Sequence, residues 1–181
     1  MGEADKGADV DDDEASSFRD FVVARGPALM RLGYLLTGGD QHAAEDLVQS
    51  ALGKALPRWG GIEAPEAYVR QAMYRHQVSW WRRPSNRNET ATAVMPELAA
   101  PDHTGTVDLR MALRAALSTL THRQRAVLVL RYLEDMSERD VAEALGVTVG
   151  TVRSTAYRAL AQLRTRTPGL TDLQLTEEVT R

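Results

Sequence analysis

The chain has no cysteine. That removes disulfides and thiolate-bound metals, and it fits a reducing compartment. Aromatic residues are only 6% of the total, with two Phe, so a core must be assembled from Leu, Val, Ala and Met. No stretch approaches 18 consecutive apolar residues, and the N-terminus is acidic where a signal peptide is basic and then apolar. Neither a membrane span nor a secretory leader is expected, and the chain reads as soluble and cytoplasmic. Period-two alternation is missing as well, which leaves an all-α chain. Also absent are HExxH, a Walker A loop, GxGxxG and GxSxG, while His42, His76, His103 and His122 are scattered without ligand spacing. No metal site, cofactor, small-molecule substrate or enzymatic activity is expected.

The charge is small in total and uneven in distribution. The formal net charge is −3 over 181 residues. Residues 1–17 hold one Lys against seven acids, a net of −6, so the remaining 164 residues carry +3. Within those, residues 108–167 hold ten Arg against six acids, a net of +4. A uniform acidic chain would repel nucleic acid, but the C-terminal part is locally basic and does not.

The chain divides by composition. Residues 1–17 are almost devoid of apolar side chains and read as a disordered acidic arm. Helical periodicity starts at Phe18 and continues through Phe21, Val22, Leu29, Leu32 and Leu36, with Gly26-Pro27 expected to kink or divide the helix. "TGGD" at 37–40 is a turn with Asp40 as N-cap. A second helix places Ala44, Leu47, Val48, Ala51, Leu52, Ala55 and Leu56 on one face and His42, Glu45, Asp46, Gln49 and Lys54 on the other. After the "PRWGGIEAP" loop, Pro65 opens a third helix that buries Val69, Ala72, Met73 and Trp80 and stops at Pro84. Residues 84–107 lack periodicity and read as a flexible linker, able to reach roughly 80 Å when fully extended. From residue 108 the helical pattern resumes with Leu109, Ala112, Leu113, Ala116, Leu117 and Leu120. Thr121 with Gln124 forms a capping box opening a helix to about Leu133, and Ser137 and Thr148 are further N-caps. Residues 168–181 form a tail with too little pattern to assign. The expected architecture is two small helical domains, 18–83 and 108–167, joined by the linker.

"ERDVAEALGVTVGTVRSTAYRAL", residues 138–160, breaks a helical pattern at one glycine and then resumes it. Two helices that cross steeply need a residue tolerant of positive φ between them, which Gly146 supplies, and a small residue at the crossing, which Ala142 supplies. Val141, Leu145, Val147, Val152, Ala156 and Leu160 make the shared seam. Thr151, Arg153, Ser154, Tyr157 and Arg158 remain outside. Arg grips guanine edges or phosphates, and Ser, Thr and Tyr hold phosphates, so this is a DNA-binding helix-turn-helix.

In order along the chain stand "AEDLVQSALGKAL", "PEAYVRQAMYRHQVSWWRR", the linker, and "LTHRQRAVLVLRYLEDMSERDVAEALGVTVGTVRSTAYRALAQLR". Together they resemble an extracytoplasmic-function (group 4) sigma factor of the sigma-70 family, the class that keeps only regions 2 and 4. "LLTGGDQHAAEDLVQ" and "SWWRR" are similar to an actinobacterial branch. The resemblance implies partners: core RNA polymerase, through its β′ clamp helices and β flap; promoter DNA; and, in many relatives, an anti-sigma factor. It implies that Asp46 and Gln49, one turn apart on the second helix, face the clamp. It implies that the third helix and the loop before it, Trp59 to Glu63, open the minus-ten element. Stacking and phosphate chemistry for that step is offered by Arg75, Trp81, Arg82 and Arg83. Arg153, Ser154, Tyr157 and Arg158 match positions facing the minus-thirty-five element. Two positions depart from the family: Arg75 replaces an Asn, and Thr155 stands where many relatives carry an Arg that contacts phosphate. A conventional regulator would need a sensor domain that residues 18–83 do not suggest, and a polymerase adaptor would bind polymerase without directing initiation.

Overall fold

The computed structural model describes residues 5–82 and 114–166. The linker and the C-terminal tail lie outside the described residues, among which there is no strand. Helix α1 runs from Asp5 to Thr37, α2 from Gln41 to Ala55, and a 3₁₀ segment from Leu56 to Gly61 leads into α3, Pro65–Arg82. In the second half, a short helix α4 covers 114–118. It is followed by α5 (His122–Leu128), a wide turn over Val129–Leu133, α6 (Glu138–Leu145) and α7 (Val149–Arg166).

Two expectations for α1 are corrected. The arm expected to be disordered is helical from Asp5, and Pro27 sits inside a continuous helix. The arm is held because Phe18 and Phe21 pack on Trp59, with ring centroids 4.9 and 5.0 Å apart, and Trp59 Nε1 donates to Ser17 Oγ at 3.3 Å. Pro27 cannot donate to the carbonyl of Val23, a residue 78% exposed, so water can satisfy that carbonyl and the helix survives.

Helix α1 ends where Thr37 Oγ1 donates to the carbonyls of Gly33 and Asp40 at 2.9 and 3.0 Å. Gly38 and Gly39 then take φ of 78° and 86°, and Asp40 caps α2 by accepting from Ala43 N at 3.0 Å. α2 buries Ala44, Leu47, Val48, Ala51 and Ala55 against α1 and α3. Leu56, expected on that face, is 51% exposed because the 3₁₀ turn rotates it outward. α3 buries Val69, Met73, Tyr74, Gln77 and Val78.

The two halves touch. α3 packs on α5 and α6, α1 packs on α5, and one continuous apolar cluster runs from Leu29 and Leu47 through Met73 to Leu130, Val141 and Val152. At the seam Arg70 forms ion pairs with both Glu66 (2.9 Å) and Glu134, whose carboxylate also accepts from Tyr74 Oη at 3.5 Å. A Cβ on Gly38 would overlap the Arg125 guanidinium, so the first turn glycine is also where that arginine rests.

Candidate nucleic-acid and polymerase interface

Local chemistry fixes the helix-turn-helix at three points. Ser137 Oγ accepts from Asp140 N at 3.1 Å and starts α6. Gly146, at φ 62° and ψ 44°, ends it by donating to the carbonyls of Ala142 and Glu143, while Val147 N donates to Ala142 O at 2.9 Å. Thr148 Oγ1 accepts from Thr151 N at 3.2 Å and starts α7. Val141, Ala142, Leu145, Val152, Ala156 and Ala159 close the buried seam. The capping box upstream also forms, with Gln124 N donating to Thr121 Oγ1 and Thr121 N donating to Gln124 Oε1.

The outward face of α7 carries Arg153, Ser154, Tyr157 and Arg158, all exposed. Tyr157 is 74% exposed, an unusual position for an aromatic with nothing to bury against. Thr151 is half-buried, its hydroxyl 2.9 Å from Thr148 Oγ1, so it belongs to the cap as much as to the surface. Arg153 Nε donates to Glu138 Oε2 at 2.6 Å while its side chain stays 70% exposed. Thr155, expected to leave a gap in a phosphate-contacting row, is buried at 8% exposure and points into the seam.

In the first half, Asp46 and Gln49 are exposed one turn apart on α2, and Arg75 is exposed midway along α3. Trp80 and Trp81 are both half-buried, against different neighbours. Trp80, expected in the core, lies edge-on to His122 with ring centroids 4.3 Å apart, whereas Trp81 is half-buried against the core cluster. Trp80 continues the Met73–Gln77 row, which faces α5, and Trp81 continues the Tyr74–Val78 row. Arg82 closes α3, but its side chain and Arg83 lie outside the described residues. In the loop before α3, Trp59 is buried at 7% exposure, leaving Gly60, Gly61 and Glu63 as its accessible part.

Several residues at the junction carried no readable sequence signal. A cleft of about 500 Å³ is lined by Thr37, Asp40, Asp46, His76, Trp80 and His122, so Asp46 opens onto the space between the halves. Burial pushes the Tyr74 hydroxyl above its ordinary range, with the nearby Arg70 cation opposing. Arg125 is 4% exposed and donates to Leu117 O (2.9 Å) and Leu120 O (3.0 Å), with Nη1 3.4 Å from His122 Nδ1. Burial lowers its pKa to about 10. Among the described residues no cluster of His, Asp and Glu could hold a metal, and no helix is long and apolar enough to cross a membrane.

Comparison with known proteins places this arrangement. Residues 110–163 match the family model for sigma-70 region 4. The chain is 39% identical over 154 residues to the RNA polymerase sigma-E factor of Streptomyces coelicolor, covering 83% of this chain and 86% of that protein. It is 30% identical over 161 residues to the ECF RNA polymerase sigma factor SigL of Mycobacterium tuberculosis, covering 83% and 89%. In structure it is similar to the sigma factor RpoE solved with the anti-sigma factor NepR from Bartonella quintana. That match has a TM-score of 0.59 and 25% identity, covering 82% of this chain and 95% of that one. With a helix-turn-helix formed as its caps require and relatives matching across both halves, the chain belongs to the extracytoplasmic-function sigma factors of the sigma-70 family.

Proposed function

We propose that this sigma factor binds core RNA polymerase, reads the minus-ten and minus-thirty-five promoter elements with its two halves, and assists strand opening. The observation that carries the reading is the exposed Arg153–Ser154–Tyr157–Arg158 face of α7, set on a buried seam inside the region 4 match. Arg153 and Arg158 are charged donors for base edges and phosphates of the minus-thirty-five duplex, and Ser154 and Tyr157 hold the backbone. Residues 18–83 form the polymerase-docking and minus-ten half, and Asp46 and Gln49 present a carboxylate and an amide to the clamp helices. Arg75, Trp81, Arg82 and Arg83 supply charge and stacking for the separated strand. An anti-sigma factor would have to mask one of these two surfaces.

The test is run-off transcription with core polymerase on a promoter library, beside a polymerase pull-down. Alanine at Asp46 and Gln49 together is expected to lower core affinity by about tenfold or more. Alanine at Arg153 and Arg158 is expected to leave core binding intact and abolish minus-thirty-five selectivity. Failure of the wild-type protein to direct initiation at any defined site sinks the proposal.

A further inference from the structure

The Arg153–Glu138 pair joins the two helices of the helix-turn-helix across its exposed face. Glu138 is the first residue of α6, where the helix dipole favours its charge and the Ser137 cap fixes the backbone. It is part-buried, whereas Arg153 is 70% exposed. The bond uses Nε of Arg153, at 2.6 Å. A carboxylate in a two-point grip would take the guanidinium's side edge. Glu138 engages that side edge through Nε alone, so the end edge between the two Nη groups is not the one it occupies, and the side chain as a whole is 70% exposed. Those two amino groups form the end-on fork that matches guanine O6 and N7.

We infer that Glu138 is a positioning residue for promoter readout, holding Arg153 so that its Nη pair faces the base edges of the minus-thirty-five element. This rests on the proposed sigma function. An exposed ion pair contributes little to stability, so the pair is poorly explained as a structural fastener. Its consequence for DNA is directional. Without Glu138, Arg153 retains its charge and loses its fixed aim, so it falls back on the nearest phosphate. Removing a carboxylate beside DNA also strengthens non-specific binding, because one repulsive charge is gone. Loss of discrimination together with a gain in non-specific affinity is a signature that simple damage to the fold does not produce.

The experiment uses holoenzyme made from core polymerase and the full chain. The promoter is one the wild-type selects from a random library, compared with versions changed singly at each minus-thirty-five base. Glu138→Ala is expected to lower discrimination at one base position by about tenfold and to raise affinity for non-promoter DNA. Glu138→Gln keeps an acceptor oxygen for Nε and is expected to restore most of the discrimination. In an Arg153→Ala background, Glu138→Ala should change discrimination no further. If Arg153→Ala abolishes selectivity while Glu138→Ala leaves it at the wild-type level, the positioning role is overturned and the sigma reading stands. If Glu138→Ala weakens promoter and non-promoter binding equally, the role is likewise overturned. A wild-type holoenzyme that selects no promoter overturns the reading beneath it and the inference together.

Discussion

At the scale of single residues, the energetics concentrate in a few polar groups that the fold has taken out of water. The buried guanidinium of Arg125 meets two backbone carbonyls and an imidazole, and burial lowers its pKa to about 10. Its folded value lies below the unfolded one, so above about pH 10 the unfolded chain binds more protons and this group's contribution to stability rises with pH. Arg125→Met removes the buried charge but strands the Leu117 and Leu120 carbonyls. A loss of about 1–3 kcal/mol in urea unfolding is expected. Tyr74 behaves in the opposite sense. Its folded pKa is raised by burial, so its contribution is present below pH 10 and is lost as pH climbs through the folded value. The chain has five tyrosines. In an absorbance titration Tyr74 should ionise above the ordinary tyrosine range, and Tyr74→Phe should remove that late phase. Amplitude lost from the ordinary range, with no late phase removed, would show the hydroxyl to be solvated.

At the scale of elements, what could be read in the sequence was what is decided locally. Asp40, Thr121, Ser137 and Thr148 each cap the helix expected of them, because a cap is settled within four residues of chain. The α7 face was legible for the same reason: helical period and one glycine determine which residues are left outside. The errors share a different cause. The acidic arm is helical because Ser17 and Phe18 find Trp59, forty-odd residues away in the chain. Trp80 rests on a partner, His122, that comes from the other half of the molecule. The Thr37–Asp40 turn shows both kinds of information in one place. Its glycines were readable as a turn, but Gly38 also seats the Arg125 guanidinium, which no local pattern discloses. Gly38→Ala should therefore cost more than the roughly 1–2 kcal/mol of a left-handed alanine. The excess should vanish in an Arg125→Met background if the overlap is its source, as a double-mutant cycle of unfolding free energies would read.

At the scale of the whole molecule, contact between the halves has a consequence for promoter recognition. The minus-ten and minus-thirty-five elements lie about 25 base pairs apart, about 85 Å along the duplex. With α3 packed directly on α6, the halves are in contact, and their proposed DNA-facing surfaces would have to move apart to match that spacing. Residues 84–107 could bridge roughly 80 Å if fully extended, so the span is within reach once the halves separate. What holds them is modest: Glu134 against Arg70 and Tyr74, Trp80 against His122, and one shared apolar cluster. The same contacts place Asp46 on the cleft between the halves, so the proposed docking residue adjoins the surface that closure uses. Because the chain has no cysteine, two can be introduced at exposed Lys54 and Arg164, away from the proposed binding residues, and labelled as a fluorescence donor and acceptor. Transfer should be efficient in the free protein and fall sharply on adding core polymerase, since binding energy is spent separating the halves. Glu134→Arg, which sets like charge against Arg70, should lower the free-state transfer without core and shift the midpoint of core titration to lower concentration. That shift follows because part of the opening cost has been removed beforehand. Transfer unchanged on adding polymerase would mean that the closed contacts persist in the holoenzyme and that some other motion brings the two promoter elements within reach.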